Sequence, residues 1–264
     1  MVNIISERVR DNIIYNHRIY NEPLTEHMKI ESHVHNECEI IFFVGGNATY
    51  VIEDRKYVLK KNDLILVRPS RYHYIEFDGN ENYERYNLLF PTSFVGKELL
   101  ARFPTDTEVI CCDENPTVMD IFAKMDSYNE FGEDAFIDLF PGLMKELFYN
   151  IIHSLGNIVS TPTRISPLIT NALSYINNNL YTIENISEIA NHLFVTEIYF
   201  FRVFKDQMKI SPKKYITNKR LVAAQKKIKK GAKPTEVYLE CGFNTYTAFY
   251  KRYVAYFGFS PSDT

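Results

Sequence analysis

Three histidines and a glutamate are the residues of the first third of the chain best suited to chemistry. His33 and His35 form a His-x-His pair, Glu39 follows, and His73 closes a later apolar segment. Three imidazole nitrogens and one carboxylate make a donor set that suits Zn, Fe or Mn. Side chains two apart on a strand face the same way, so His33 and His35 point together. An ion held there with an open coordination position would support hydrolytic or oxygenase chemistry. The same residues can instead line a barrel mouth and hydrogen-bond an organic ligand, or one another. Tyr50, Arg71, Tyr72 and Tyr74 could then line the same pocket.

A second set serves a different chemistry. Ser187 to Lys205 reads as two short helices joined by a tight turn. Ile186, Ile189, Ala190 and Leu193 give the first an apolar face, Phe194-Val195 breaks the pattern, and Thr196 is a good N-cap for the second. Tyr199, Phe200, Val203 and Phe204 lie on one side of that second helix. Glu197, Ile198, Phe201, Arg202 and Lys205 lie on the other. Such a helix-turn-helix can lay its second helix in a DNA major groove. The pattern recurs: Thr235 to Glu240, a turn at Cys241-Gly242-Phe243, then Thr245 to Tyr256. There Phe249 and Tyr253 face in, while Tyr246, Thr247, Tyr250 and Lys251 face out. Ile210-Ser211-Pro212 and Phe259-Ser260-Pro261 end the two copies about 49 residues apart. Between them runs a helix from Lys213 to Lys230. Tyr215, Ile216, Leu221, Ala224 and Ile228 form its inner face, and Lys219, Arg220, Lys226, Lys227, Lys229 and Lys230 lie largely on its outer one.

The elements that must position these residues are of two kinds. From about residue 28 to 92, short apolar runs are punctuated by turn signals such as Gly45-Gly46, Glu53 to Lys56 and Lys60 to Asp63, which argues for a small barrel or jelly roll. From 117 to 155 the period becomes helical. Val118, Ile121, Phe122 and Met125 form one stripe. A second helix carries Phe136, Phe140, Leu143, Leu147 and Ile151, with Ile137, Met144, Phe148 and Ile152 beside them. Two adjacent stripes predict one contact with the barrel and one with a second subunit, and Pro141-Gly142 predicts a kink or a restart. Residues 156–164 read as a linker.

Charge divides the chain the same way. After residue 164 there are 14 Lys and Arg against 7 Asp and Glu; from residue 1 through 164 there are 16 against 26. Only the second half is expected to meet a polyanion. Cys38, Cys111, Cys112 and Cys241 have no CxxC spacing, so reduced thiols are expected. No apolar run approaches the ~18 residues of a membrane span, and the first residues carry charges with no signal-like core. A cytoplasmic protein without membrane contact is the expectation.

The last 100 residues resemble the DNA-binding domain of AraC/XylS-type transcription regulators. The resemblance is carried by Ile189-Ala190, Val195-Thr196, Arg202 to Lys205, Ser211-Pro212, Tyr215, Arg220-Leu221, Ala224, Gly242-Phe243, Phe249 and Gly258 to Pro261. Lys209, Tyr238 and Tyr253-Val254 depart from the pattern. Residues 33–73 resemble the paired motifs of cupins, with Asn62 where Gly is usual and a shortened second motif. Together these imply an α+β chain of two domains: a cupin-like β-barrel with a helical hairpin, then an all-α domain with two helix-turn-helix units. The expected boundaries are 1–116 for effector binding, 117–155 for dimerisation or connection, 156–164 for the linker and 165–264 for DNA binding. Ile198, Phe201, Arg202 and Lys205, with Tyr246, Thr247, Tyr250 and Lys251, are the expected DNA-binding residues. Lys205 and the Lys226 to Lys230 run would bind phosphate or stay solvated. Two such readers about 34 Å apart would enter successive major grooves. His33, His35, Glu39, Tyr50 and His73 are the expected effector-binding residues. The partners expected are promoter DNA, a small-molecule effector and a second copy of the chain, with no cofactor and no catalysis. The competing reading is a cupin metal-dependent enzyme, or a metal sensor, using His33, His35, Glu39 and His73.

Overall fold

The computed structural model describes residues 2–10, 13–20, 32–77, 82–105, 107–154 and 161–264. Strands β1 (Val2–Arg10), β2 (Ile13–Tyr20), β3 (Cys38–Gly45), β4 (Ala48–Ile52), β5 (Arg55–Val58), β6 (Asp63–Val67), β7 (His73–Phe77), β8 (Tyr83–Phe90), β9 (Val109–Cys111) and β10 (Thr163–Arg164) form two antiparallel sheets. Their orders are β1-β2-β8-β3-β6-β9 and β10-β5-β4-β7. The sheets face each other across one core. Ile41, Phe43, Ile65 and Val67 from the first sheet meet Tyr50, Ile52, Tyr57 and Ile75 from the second. The opposite face of the larger sheet is covered too, by helices. Its Cys38, Ile40, Phe42, Leu64, Leu66, Leu88 and Phe90 pack on Val118, Ile121 and Phe122 of a helix spanning Pro116–Ser127. Burial on both faces explains why β3 and β6 read as unbroken apolar runs.

The first two strands extend the β region upstream of residue 28, where no alternating pattern marks them. His17 of β2 ties that strand into the fold. Its Nδ1 lies 2.7 Å from Asp126 and its Nε2 2.8 Å from Glu84. Burial disfavours its charge, but the two carboxylates outweigh burial and raise its pKa.

Two short helices, α1 (Thr92–Val95) and α2 (Lys97–Leu100), precede α3 (Pro116–Ser127) and α4 (Glu133–Ser154). α4 runs as one helix through Pro141, so the chain does not restart there. Phe140, Leu143, Met144, Leu147, Phe148 and Ile151 are all buried along it, and this packing outweighs one lost backbone hydrogen bond. Met144 and Phe148, on the second of the two stripes, bury inside the chain as Phe140 and Leu147 do. The helix lies against α3, α1 and the sheet, so its contact arc is wider than one stripe. Leu139 and Tyr149 stay exposed.

Of the expected linker, residues 156–160 lie outside the described part. Thr163 and Arg164 form β10 on the edge of the smaller sheet, paired with Lys56 and Arg55. Six helices follow: α5 (Pro167–Asn178), α6 (Ile186–His192), α7 (Glu197–Met208), α8 (Pro212–Ile228), α9 (Pro234–Glu240) and α10 (Tyr246–Phe257). Four of these starts are set by side chains that take an orphan backbone N–H. Asn185 makes a full capping box with Glu188, and Thr196, Ser211 and Thr245 cap α7, α8 and α10. Two apolar clusters result, one around α5–α7 and one around α9–α10, with α8 contributing to both.

The β half and the helical half are joined through the tip of the β4–β5 hairpin. Glu53 occupies that tip with a positive φ of 51°, uncommon for a non-glycine residue. Its carboxylate is buried and accepts from the Tyr72 N–H (3.0 Å), the Tyr215 hydroxyl (2.5 Å) and the Lys219 ammonium (2.8 Å). Asp54 beside it accepts from Thr170 on α5 and from the Ile165 N–H. Lys219, expected on the solvated basic face of α8, is therefore an internal counter-ion. Burial pushes the Glu53 carboxyl up, but Lys219 and the hydrogen bonds outweigh burial and hold it below the ordinary value.

Removing one partner of a buried pair strands the other charge, so Lys219→Ala should cost about 3–5 kcal/mol in urea denaturation. A depressed carboxyl pKa stabilises fully above the ordinary carboxylate range and loses that contribution as pH falls through the depressed value. Lys219→Ala should accordingly flatten the acid limb of the stability profile.

Candidate effector site and nucleic-acid interface

The four donors identified in the sequence meet between the two sheets. His33 and His73 form an antiparallel bridge, with N–H···O distances of 3.1 and 3.0 Å in the two directions. Glu39 stands on the inward phase of β3, with Ile41 and Phe43. The ligating atoms of His33, His35, Glu39 and His73 all lie within 4.8 Å of one another. His73 and Glu39 are buried, and His33 and His35 are half-buried. Glu39 Oε2 is 2.8 Å from His73 Nε2 and 3.6 Å from His35 Nε2, while its Oε1 accepts from the Asn87 amide at 2.9 Å. Burial opposes charge on Glu39, yet His35 and His73 outweigh it and hold the carboxyl well below its usual range. Burial also lowers the His35 pKa, but Glu39 overcomes this and raises it.

Tyr50 joins the group, its ring stacked on His73 with centroids 6.1 Å apart. Burial first, and Glu39 second, keep its phenol protonated far above the ordinary range. The cavity they border measures about 80 Å³. Arg85 and Asn87 of β8 also line it, and the sequence reading missed both. Their signal was phase: they alternate with Tyr86 and Leu88, which face the helices, and so must point inward with Tyr83. Of the other residues considered for this pocket, Arg71 pairs with Glu108 at 3.5 Å. The Tyr72 ring stacks on Tyr215 at 4.3 Å and so reaches the helical half. Tyr74 lines the cavity, and its hydroxyl donates to the Gln207 carbonyl.

On α7, Phe200, Phe204 and Met208 form the buried line. Ile198, Phe201, Arg202 and Lys205 are exposed, Ile198 to 84%. Tyr199, expected to face inward, lies at the edge of the buried arc and is exposed, with the Arg202 guanidinium 5.8 Å from its ring centre. The turn residue Phe194 is 95% exposed, at φ 56°. On α10, Phe249 and Tyr253 are buried, Thr247, Tyr250 and Lys251 are exposed, and Tyr246 is half-buried against Tyr238. Arg220, expected on the basic outer face of α8, instead donates to the carbonyls of Leu180, Ile183 and Gly242. It locks the second helix-turn-helix turn to the segment before α6.

Two helix-turn-helix units behind a sandwich with a polar internal cavity define a DNA-binding regulator with a ligand-binding domain. Residues 189–264 match the model of the helix-turn-helix domain, and residues 19–126 match that of the AraC-like ligand binding domain. The uncharacterized HTH-type transcriptional regulator YdiP of Escherichia coli is 25% identical over 246 residues, covering 88% of this chain and 79% of that one. The HTH-type transcriptional activator AarP of Providencia stuartii is 30% identical over 98 residues, 37% of this chain and 73% of AarP. A shorter match, 30% over 84 residues, reaches acireductone dioxygenase of Pseudomonas fluorescens and spans 28% of this chain and 46% of the enzyme. The chain belongs to the AraC-type transcriptional regulators.

The turn of the second unit gives a direct test of the packing. Gly242 has φ +78°, and a Cβ there would meet the Tyr181 carbonyl at 2.5 Å and Arg220 at 2.9 Å. Gly258 has φ +81° and open space. Gly258→Ala should lose only the left-handed cost of about 1–2 kcal/mol in thermal denaturation. Gly242→Ala should lose clearly more.

Proposed function

We propose that this regulator reads a promoter through α7 and α10 under the control of a small ligand at the Glu39 cavity. It would act in the cytoplasm and catalyse no reaction. The observation that carries the reading is the outward face of α7. Ile198 and Phe201 stand exposed where folding alone would bury them, beside the guanidinium of Arg202. Large apolar side chains on a helix-turn-helix second helix suit contact with thymine methyl groups, and the Arg202 fork suits guanine O6 and N7. Lys205 suits phosphate, which positions the protein without reading sequence. Thr247, Tyr250 and Lys251 form the corresponding face on α10, with Tyr246 at its edge. Tyr246 rests on Tyr238, which supports a lesser role for the second unit.

A metal-dependent enzyme is the second reading, favoured by the convergence of His33, His35, Glu39 and His73. Against it stands the cavity of about 80 Å³. Sites for organic molecules usually measure about 300–1,000 Å³.

We also propose pairing as a homodimer through the outer face of α4, where Leu139 and Tyr149 are exposed. Leu139→Asp should then shift sedimentation from dimer to monomer.

DNA binding is tested by fluorescence anisotropy on the region upstream of the protein's own coding sequence. Selective, salt-sensitive binding is expected. Arg202→Ala should weaken it by about 5- to 150-fold, the equivalent of 1–3 kcal/mol. Binding to unrelated DNA should change little. Equal losses on both DNAs would remove Arg202 from base reading, and no selective binding under any condition would overturn the function.

A further inference from the structure

We infer that the sandwich sets the distance between the two readers, and so the half-site spacing that the protein accepts on DNA. Tyr74 and Val34 are the residues that do this, each tied to the last turn of one recognition helix. The inference rests on the regulatory reading above and names what the β half contributes to sequence choice.

Within the helical half, α8 belongs to both apolar clusters, and its Arg220 joins the segment before α6 to the turn of the second unit. The far ends of the recognition helices are held from the sandwich. In the last turn of α7, the Gln207 carbonyl accepts from the Tyr74 hydroxyl at 2.5 Å. The Gln207 side chain also accepts from the Ser166 N–H and hydroxyl, at 3.1 and 2.8 Å. Lys209 ends α7 with a φ of 57°, and its ammonium lies 3.7 Å from Glu76. That pair is a weaker tie, because both groups are partly in water. In the last turn of α10, the Tyr256 hydroxyl donates to the Val34 carbonyl at 2.6 Å. Tyr256 also packs on the cluster that Val34 and Tyr72 join. Between these two anchors the Asn36 amide grips α8, donating to the Val222 carbonyl and to Gln225, both at 2.8 Å.

Both anchors belong to one piece of paired backbone. Val34 and Tyr74 each directly follow a residue of the His33–His73 bridge. The Ser70 N–H donates to the His35 carbonyl at 2.8 Å, and residues 73–77 pair along β4. A crossbar of this kind stretches little. The ends of α7 and α10 therefore cannot part or swing without breaking one of its hydrogen bonds. Two readers joined only through α8 would pivot about its ends and accept several spacings. DNA makes the difference measurable, because half-sites in successive major grooves lie about 10–10.5 base pairs apart. One added base pair moves a half-site by about 3.4 Å along the axis. A hydrogen bond tolerates only a few tenths of an ångström.

The test selects operators from a random duplex pool with the full chain and reads the half-site spacing in the enriched sequences. Anisotropy then gives the affinity for the best sequence and for versions with one base pair added or removed between its half-sites. The intact protein should enrich one spacing. The variant carrying both Tyr74→Phe and Tyr256→Phe loses only two hydroxyls, and circular dichroism confirms its fold. A neutral hydrogen bond is worth a factor of about 2–12, so the intact protein should bind the altered operators roughly tenfold more weakly, and the double variant should hold all three within about threefold. The double variant should also enrich more than one spacing. Tyr57→Phe removes a hydroxyl inside the sandwich, bonded to Glu108 at 2.9 Å, and should keep the single spacing. An unchanged spacing and unchanged penalties in the double variant overturn the inference. So does its loss of selective binding at every spacing, because a spacing element leaves each reader's own recognition intact. Relaxed spacing in Tyr57→Phe traces the effect to general loosening and overturns it too. No enrichment by the intact protein removes the regulatory reading and this inference with it, whereas enrichment whose spacing the double variant keeps removes this inference alone.

Discussion

A buried carboxylate organises the relation between the two halves. Glu53 sits at a hairpin tip in a strained backbone conformation, yet three donors converge on it, two of them from α8. A buried ion pair contributes little net stability compared with an apolar contact of the same shape. Its worth lies in geometry: Lys219 and Tyr215 have only one arrangement in which no charge or hydroxyl is stranded. The stacking of Tyr72 on Tyr215 and the bonds from Asn36 and Tyr256 fall into register around that point. Orientation of the DNA-binding face relative to the sandwich therefore depends on this buried contact, with the hydrogen bonds of Asn36, Tyr74 and Tyr256 around it.

The sequence made the two kinds of architecture legible, for physical reasons. Helix-turn-helix units are local objects, and their caps, turns and inward aromatics repeat within 49 residues, so Thr196, Gly242 and Phe249 could be read directly. The His-x-His pair, Glu39 and His73 were legible as a donor set because strand alternation fixes direction. What stayed hidden depends on partners distant in sequence. Lys219 and Arg220 look like solvated charges until Glu53 and three backbone carbonyls are placed beside them. Strand β2 has no clean alternation because His17 and Asn16 are buried polar residues, and His17 is satisfied by Glu84 and Asp126, far along the chain. Arg85 and Asn87 were missed because their strand looks irregular unless its two faces are read separately.

The sandwich interior is crowded with tyrosines and aliphatic side chains, and the space left over is small and polar. A regulator with so little internal room is suited to a compact ligand that acts through bonds of fixed direction. The exposed apolar residues on α7 make the opposite choice: Ile198 and Phe201 remain in water, a cost recovered only against another surface.

The turn at Glu53-Asp54 has a consequence for how this chain can vary. Two-residue hairpin tips on sheets are ordinarily among the most forgiving places for insertions, since they project into solvent. Here the tip is a peg seated between α5 and α8. Lengthening it by even one residue would leave the sandwich hydrogen-bonded and both helix-turn-helix units folded, and would still uncouple them. The segment whose length looks least important is the one held to a fixed length by a partner 160 residues away.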